Sequence, residues 1–582
     1  MMMGVRVLTG KLKVVLIPFF VIILCCISCS KSKKPGTEPE TAKIVLSKSE
    51  EKSLVALGQL WGFLKYHHPA VANGDYDWDS ELIQLIPLVY ADIDESTWKK
   101  QLDDWLNNLP PVPANANKKS PDLEAKTRPD YGELFNTDYF FPETIDKIKH
   151  IIDNSMISTN HYVSVDNNGR LSFENELPYE ESVATELPYR LLALFRLWNI
   201  VNYFFPYRDL CDQPWSEVLA EMLPDFINEQ DLEQYTLTCL KLAVKIDDSH
   251  VSLLSVFMPK INGLLKVPFE TRFIEGDLAV TVFTREDTYV NETIKTGDII
   301  TAIEGEDIED IVKKMWNFTP ASNDAVKLRE IASKILSGNT DSVSITVSRD
   351  GNYFEAMIPR FPKQHLNIPD YYYHPYPEKE GYTILDNNIG YVLPSNCTFA
   401  ERDKGIKKVL DGTKGVIIDM RCYPDDNMAY SFVANLKENR SSRIHSMQIC
   451  DANISYPGFF YIRKFQETKV FPIYSYVRKI VVIVNEYTQS QAEDMVLAFQ
   501  TVPNATVIGN TTAGADGNIC YFFLPGNIRV IMTGKGVYYP DGSDLQRVGV
   551  KIDETVKPTI AGIKAGRDEL LERAIEIINT SD

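Results

Sequence analysis

The sequence lacks several features that define other classes of protein. Beyond the N-terminus no apolar run reaches the roughly 18 residues needed to span a bilayer, so we expect no internal transmembrane helix. The six cysteines beyond Cys29 contain no C-x-x-C pair, which argues against a zinc knuckle or a dense disulfide framework. Basic residues number 60 against 80 acidic ones, and no basic stripe offsets the net charge of −20. This balance argues against nucleic-acid binding.

Histidine is also scarce, with eight in the chain. His67 and His68 form the only adjacent pair, and no cysteine or clear carboxylate partner lies near them in the sequence. We therefore interpret them as a surface pair rather than as metal ligands. The sequence predicts neither a metal nor another cofactor.

Residues 1–29 have the pattern of an export signal. Three basic residues precede an apolar stretch of 11 residues, and Cys26-Ile27-Ser28-Cys29 follows. This stretch is too short for a spanning helix, and the small residue before Cys29 resembles a bacterial lipoprotein cleavage box. We expect lipidation of Cys29, a polar tether over residues 30–45, and a Gram-negative cell envelope as the location, facing the outer membrane or periplasm. Contact with the membrane would then occur through the lipid anchor only. An ordinary signal peptide cleaved nearby is the alternative.

An internal duplication relates residues 46–110 to residues 186–260. Trp61, Tyr66, Pro69, Trp78 and Pro87 recur at a constant offset of 137 residues as Trp198, Tyr203, Pro206, Trp215 and Pro224. Apolar spacing of three and four predicts helices in both copies. Only the second copy ends in Asp247-Asp248-Ser249-His250, because a proline occupies the position equivalent to His250 in the first. The helices do not require this ending, so we interpret it as functional.

Outside the two copies, three stretches of the chain differ from them in composition and in the spacing of apolar residues. Residues 111–185 are rich in Asn, Asp and Pro and predict an irregular connecting region. Residues 262–362 predict a β-rich domain, in which GDIITAIEGEDI resembles a PDZ domain; this implies binding of extended peptide ends at a sheet edge. From residue 380 to residue 582, β-branched runs alternate with helical stretches, which predicts an α/β core with a buried sheet. The chain is therefore expected to be a multidomain α/β protein.

One strand-to-helix junction stands out in this core. KIVVIVNEYTQSQAEDMVLAFQ predicts a buried strand, a short turn and a helix that begins at Ser490. At that junction the backbone N–H of Gln491 and the helix N-terminus can stabilise a developing oxyanion. The alternative is a plain N-cap, in which Ser490 and Glu493 form an S-x-x-E capping box.

Several segments together resemble the tricorn-core and C-terminal processing serine peptidases. VIVNEYTQSQAED resembles their nucleophile segment, and GVIIDMRCYPDD resembles the strand before it. GNTTAGADGN, LPGNIRVIMTG and PDGSDLQRVGV resemble the downstream half, and DDSH resembles the Ser-His element of the tricorn branch. The resemblance covers residues from about 190 to 582. It implies a ClpP/crotonase-like core that hydrolyses peptides or unfolded and C-terminal protein segments, with no cofactor.

The resemblance also implies roles for individual residues. Ser490 would be the nucleophile and His250 its general base, since serine is a weak nucleophile without a base in reach. Ser249 would orient the imidazole. The tricorn branch has a relay glutamate, and the residue of this sequence closest to the equivalent position is Gln546. Gln491 would supply an oxyanion-binding backbone N–H.

Three departures from the family pattern keep other hypotheses open. No lysine lies near TTAGADGN, where the Ser-Lys branch has one, and Lys535 is interpreted as a surface lysine. Gln546 carries no charge. The usual Asp-Leu-Arg-Gly-Asn is replaced at residues 419–423, and this change argues against an oxyanion contribution from the turn at Cys422. A peptide-binding envelope lipoprotein with a decayed relay is the second hypothesis. A glycan-binding lipoprotein, suggested only by the many aromatic residues, is the third.

Overall fold

The computed structural model describes residues 44–581, except 92–93, 117, 119–124, 229–230, 371–372, 374–377, 426–427, 437–443 and 469–475. The predicted lipoprotein signal with Cys29, and all but the end of the predicted tether, lie outside the described residues. Residues 44–582 form one compact unit. Within the described part, we find no helix with the length and apolar character of a transmembrane span.

The N-terminal part of this unit is helical. Its elements are α1 (Lys48–His67), α2 (Pro69–Ala72), α3 (Trp78–Leu85), α4 (Glu95–Asn107), α5 (Pro142–Asn154), β1 (Ser164–Val165), β2 (Leu171–Ser172), α6 (Glu181–Ala184), α7 (Leu187–Phe204), α8 (Trp215–Asn228), α9 (Leu232–Val244), β3 (Ser252–Leu254) and α10 (Met258–Ile261). α1 begins with a capping box at Ser47 and Glu50. As expected from the prolines, α1 ends before Pro69 and α7 ends before Pro206.

The same tryptophan pairing occurs in both helical copies. In the first copy each indole N–H of Trp61 and Trp78 donates to the backbone carbonyl of the other, at 2.9 Å in both directions. In the second copy Trp198 and Trp215 exchange the same two bonds at 2.8 and 2.9 Å. These reciprocal bonds satisfy buried polar groups, so they hold each helix pair in one geometry.

Helices α1 and α7 pack closely because small residues face large ones. A Cβ atom on Gly62 would lie 1.9 Å from Cγ of Asn199, so only glycine is tolerated at that contact. The Asn199 side chain then donates to the carbonyl of Gly58 at 2.9 Å. Glu176, from the predicted irregular region, inserts between the copies and pairs with Lys65 and Arg196, each at 2.8 Å. The connecting region is therefore part of the helical core.

A β-rich part of the chain follows the helical part. It contains β4 (Leu265–Lys266), β5 (Phe269–Ile274), β6 (Asp277–Phe283), α11 (Thr288–Thr293), β7 (Ile299–Ile303), β8 (Glu306–Asp307), α12 (Ile308–Trp316), α13 (Asp324–Ala332), β9 (Ser342–Arg349), β10 (Asn352–Pro359) and β11 (Phe361–Pro362). Its main sheet is antiparallel in the order β10-β9-β7-β6-β5. Helix α13 packs on β5, where the Thr271 hydroxyl donates to the carbonyl of Ala332 at 3.0 Å.

The C-terminal core is built on a mostly parallel sheet. Its elements are β12 (Tyr382–Leu385), β13 (Ile389–Val392), α14 (Arg402–Leu410), β14 (Gly415–Asp419), α15 (Met428–Leu436), β15 (Ile444–Ala452), β16 (Phe460–Thr468), β17 (Lys479–Val484), α16 (Gln491–Gln500), β18 (Ala505–Gly509), β19 (Ile519–Leu524), β20 (Ile528–Thr533), β21 (Gly536–Tyr538), β22 (Glu554–Thr555), α17 (Ile560–Lys564) and α18 (Glu569–Thr580). The sheet order is β12-β13-β14-β17-β18-β22, with only the first pair antiparallel. Every residue of β14 is buried, as expected for a strand covered on both faces.

A long-range strand pairing joins the second helical copy to this core. β3 begins two residues after His250 and pairs antiparallel with β20, so that Ser252 lies opposite Ile531 and Leu254 opposite Arg529. β19 and β20 form an antiparallel hairpin, and β3 extends it to a three-stranded sheet. The pairing therefore brings the acid-Ser-His segment to the C-terminal part of the chain.

Candidate active site

A cavity of about 920 Å³ lies where the helical part, the β-rich domain and the core meet. Ser490, His250, Gln489 and Gln491 line it, although Ser490 and His250 are 240 residues apart in the chain. The fold therefore brings together the two residues that the sequence analysis selected as nucleophile and base. Among the described residues no hydrogen bond joins these two side chains, and both face the same space.

Ser490 stands at the N-terminus of α16 in an unusual backbone conformation. Its φ is 58° and its ψ is −124°, a region that L-residues other than glycine rarely adopt. The carbonyl of Ala515 holds this conformation by accepting the Ser490 backbone N–H at 2.9 Å. A plain N-cap has extended backbone angles, so this conformation projects the serine out of the helix start.

The capping-box alternative for Ser490 is wrong. The Ser490 side chain makes no capping hydrogen bond, so the reciprocal pair of bonds that defines the box is not formed, although the Ser490 backbone N–H contacts the Glu493 carboxylate and lowers its pKa. The Glu493 carboxylate is fully buried and accepts from the Thr512 hydroxyl at 2.5 Å and from the backbone N–H groups of Gly514 and Ala515 at 2.8 and 2.9 Å. Burial raises the pKa of Glu493 to about 7. Glu493 thus supports the loop that in turn holds Ser490.

The first residue of α16 offers a backbone donor to the cavity. As the first helical residue, Gln491 has no intrahelical acceptor for its N–H, and no other described residue accepts it. Donors at a helix N-terminus favour negative charge. The predicted oxyanion contribution of Gln491 is therefore compatible with its position beside Ser490.

The imidazole of His250 is held from one side only. Its Nδ1 lies 2.8 Å from the Thr533 hydroxyl at the end of β20, and no described residue forms a hydrogen bond with Nε2. Asp248 Oδ1 lies 3.9 Å from Nδ1. Burial lowers the pKa of His250 below its ordinary value, and the Asp248 carboxylate acts in the opposite direction. Desolvation of the ring therefore has a larger effect on the pKa of His250 than the neighbouring acid has.

Asp248 fixes the position of the segment that carries His250. Its fully buried carboxylate accepts the backbone N–H of Thr533 at 2.8 Å and that of His250 at 3.1 Å. The Gln546 amide donates to the same carboxylate at 3.3 Å. Gln546 therefore reaches the imidazole only through Asp248, which supplies the negative charge that Gln546 lacks.

Ser249 does not contact the imidazole, contrary to its predicted orienting role. Its hydroxyl donates to the carbonyl of Ala513 at 3.1 Å and accepts the backbone N–H of Ser322 at 2.8 Å. The side chain of Ser249 therefore points toward the β-rich domain. Thr533 occupies the orienting position instead.

Cys422 packs away from the cavity. The thiol is fully buried against apolar residues of the core, and burial raises its pKa to about 12. Its neighbour Tyr423 lines the cavity, and the Tyr423 hydroxyl is 3.4 Å from Oε1 of Gln491. Burial raises the pKa of Tyr423, and a hydrogen bond with Ser490 acts in the opposite direction. The turn at residues 419–423, which departs from the family pattern, therefore places the Tyr423 hydroxyl beside Ser490.

Two further interpretations of basic residues are wrong. Lys535 is 8% exposed and lines the cavity, where its ammonium is held by the Asn168 carbonyl at 2.5 Å and lies 3.8 Å from Asp451. His67 and His68 are also buried, because their rings bond the hydroxyl of Tyr131 and the carbonyl of Pro110, both at 3.0 Å. In the described ranges no group of His, Cys, Asp or Glu side chains is arranged to hold a metal ion.

The comparisons with known proteins agree with this architecture. Residues 388–556 match the model of peptidase family S41. No match was found among curated proteins. The structure of mature CPAF complexed with lactacystin is 13% identical, with a TM-score of 0.53, and the alignment covers 67% of this chain and 98% of that chain. Mature CPAF alone is 12% identical, with a TM-score of 0.53 and coverage of 67% and 96%.

A more distant similarity is to the photosystem II D1 C-terminal processing protease, which is 16% identical with a TM-score of 0.36 and coverage of 65% and 96%. At such identities the similarity to CPAF describes the fold, whereas the family model identifies the domain. Residues 388–556 therefore form a family S41 peptidase domain, and the chain is a serine-type peptidase.

Proposed function

We propose that the protein is an endopeptidase in which Ser490 attacks the peptide carbonyl and His250 is the general base. The observation that carries this proposal is the shared cavity, in which a serine in a strained conformation at a helix start faces a histidine whose Nε2 is unoccupied. Strained residues of this kind cluster at active sites. A nucleophile and a base from distant segments are typical of serine hydrolases.

The geometry supports a separate catalytic role for each residue of the site. With Nδ1–H donating to the Thr533 hydroxyl, Nε2 is the free acceptor that takes the Ser490 proton during attack. The same nitrogen then gives the proton to the leaving amine, and water hydrolyses the acyl-enzyme. Asp248 stabilises the imidazolium electrostatically, while the Gln491 N–H stabilises the oxyanion.

A decayed, peptide-binding relative remains the second candidate function. Gln546 and Cys422 favour it, because neither supplies the charge or the small residue expected in the family. Two contacts weigh against it: Asp248 supplies a buried charge near His250, and Tyr423 places a hydroxyl at Ser490. The two candidates predict opposite results in a hydrolysis assay.

We further propose that the β-rich domain is PDZ-like and presents peptide to the cavity. β5 is an edge strand of its sheet, which is the position used for peptide addition. Arg272 on β5 pairs with Glu486 at 2.5 Å, and Arg329 on α13 donates to the carbonyl of Glu486 and to Gln489. The domain therefore contacts the loop that leads to Ser490.

The envelope location is likewise proposed, on the N-terminal sequence alone. Cleavage before Cys29 and lipidation of its thiol would anchor the protein while leaving the peptidase outside the membrane. Cys29→Ala is expected to move the protein into the soluble fraction. Retention of an uncleaved Cys29→Ala chain in the membrane would show that residues 1–29 are an anchor helix.

Hydrolysis of an unfolded protein substrate by active-site variants tests the proposed chemistry. Ser490→Ala and His250→Ala are each expected to reduce kcat by several orders of magnitude, with little further loss in the double variant, because members of one relay are non-additive. Ser158→Ala and His365→Ala change exposed residues and are matched controls. Lys535→Ala is expected to cost less than about tenfold. Loss of turnover in Lys535→Ala with retention in His250→Ala would assign the base to lysine.

A further inference from the structure

A buried carboxylate that the proposed chemistry does not use lies in the wall of the same cavity. Asp516 is 5% exposed and follows Ala515, whose carbonyl accepts the Ser490 backbone N–H. Its Oδ1 accepts the N–H of Gly517 at 2.6 Å. Its Oδ2 is buried and has no hydrogen-bond partner among the described residues. Asp516 is therefore a half-satisfied acid beside the proposed nucleophile.

No cation of the protein itself balances this carboxylate in the described part of the chain. Arg329 pairs with Glu330 at 3.0 Å, and Lys535 lies 3.8 Å from Asp451. Burial raises the pKa of Asp516 well above its usual range, and the nearby carboxylates of Asp494 and Glu493 raise it further. A cation placed against Oδ2 would stabilise the ionised carboxylate, which burial and the neighbouring acids otherwise disfavour.

We infer that Asp516 is a specificity residue that binds the cationic side chain of a substrate lysine or arginine next to the scissile bond. This inference rests on the proposed function of Ser490. Binding of the cation gives Oδ2 the charge-assisted hydrogen bond that it lacks in the unliganded protein. Because Ala515 contacts the backbone of Ser490 directly, the side chain recognised by Asp516 belongs to a residue that flanks the bond under attack.

The lining of the cavity suits the rest of such a side chain. Ile519, Ile531 and Val537 contribute apolar surface to the same cavity as Asp516. Lysine and arginine bury their aliphatic stems against apolar surface and place the charge at the end. Norleucine has a similar stem without a charge, so it isolates the contribution of the carboxylate.

Matched peptides provide the test. Internally quenched peptides would carry Lys, Arg, norleucine or Glu at one position on either side of the scissile bond, and kcat/KM would be measured with the full chain. We expect Lys or Arg to be preferred over norleucine by about thirtyfold or more, as for a buried charge pair. Asp516→Asn should remove the preference, and Asp516→Glu should retain it. Asp310→Asn, which changes an exposed acid of the β-rich domain, is the matched control.

A second measurement does not depend on the folding of any variant. Benzamidine, a cation, is expected to inhibit the wild-type chain competitively at concentrations about thirtyfold lower than its neutral analogue benzamide. Equal inhibition by the two compounds would overturn the inference, as would a preference for norleucine or Glu over Lys and Arg.

The outcomes also separate this inference from the proposed function. Ser490-dependent hydrolysis of the norleucine peptide without preference for Lys or Arg would overturn the role of Asp516 and leave the proposed chemistry intact. Absence of hydrolysis of every peptide, together with no reaction of Ser490 with a phosphonate, would overturn both.

Discussion

Ser249 and Ser322 exchange two hydrogen bonds, each from the backbone N–H of one residue to the hydroxyl of the other, both at 2.8 Å. Ser249 precedes His250, and Ser322 stands just before α13 of the β-rich domain. Arg547 from the core donates to the carbonyl of Ser322 at 3.0 Å. The contacts of Ser322 therefore link the segment that carries the proposed base to the β-rich domain and to the core.

Ser322→Ala is expected to weaken this junction. It removes a buried acceptor for the Ser249 N–H, which should lower the free energy of unfolding by about 1–3 kcal/mol. Misplacement of His250 should also reduce kcat more than it raises KM. Ser348→Ala in β9 is the control within the same domain. Unchanged kinetics in folded Ser322→Ala would show that the junction is structural only.

The pH dependence of kcat/KM should report the environment of His250. A general base acts when it is neutral, and burial lowers the pKa of His250, so activity should fall only below the ordinary histidine pKa of 6.5. Asp248→Asn removes the influence that raises this pKa, and the acidic limb should move to still lower pH. A midpoint at or above 6.5 would contradict this assignment. So would a limb that disappears in Glu493→Gln, since the pKa of Glu493 is about 7.

Strain at Ser490 predicts an unusual order of stability among inactive variants. Glycine tolerates the positive φ of 58°, whereas alanine retains the Cβ atom that makes it unfavourable. Ser490→Gly should therefore be more stable than Ser490→Ala by about 1 kcal/mol, despite the greater freedom of glycine in the unfolded chain. Denaturant unfolding of the two variants measures the difference. A less stable glycine variant would show that the backbone of residue 490 is relaxed.

Local sequence patterns were sufficient to predict several helices and strands of this fold. The apolar run of β17 and the period of α16 predict both elements and place Ser490 between them. The duplicated tryptophans predict two equivalent helix pairs, and each pair makes the same reciprocal contact. These features depend on residues close in the chain, which is why they can be read from it.

The errors concern contacts made over long distances in the chain. Thr533 reaches His250 only because β3 pairs with β20 in one register, and no local pattern specifies that pairing. His67 was interpreted as a surface residue because no cysteine or carboxylate partner lies near it in the sequence, but Tyr131 from the connecting region covers it. Lys535 and Asp516 likewise gain their positions from loops that converge on the cavity. Burial of a polar residue is a property of its distant partners.

The assignment of Ser490 as the nucleophile can be tested by reaction of the full chain with a fluorophosphonate, followed by mapping of the adduct by mass spectrometry. We expect a single adduct on Ser490, absent in Ser490→Ala and formed much more slowly in His250→Ala, because the hydroxyl is reactive only with its base. Ser158→Ala should label like the wild-type chain. An unlabelled Ser490 in folded protein, or an adduct on another serine, would contradict the assignment of Ser490 as the nucleophile.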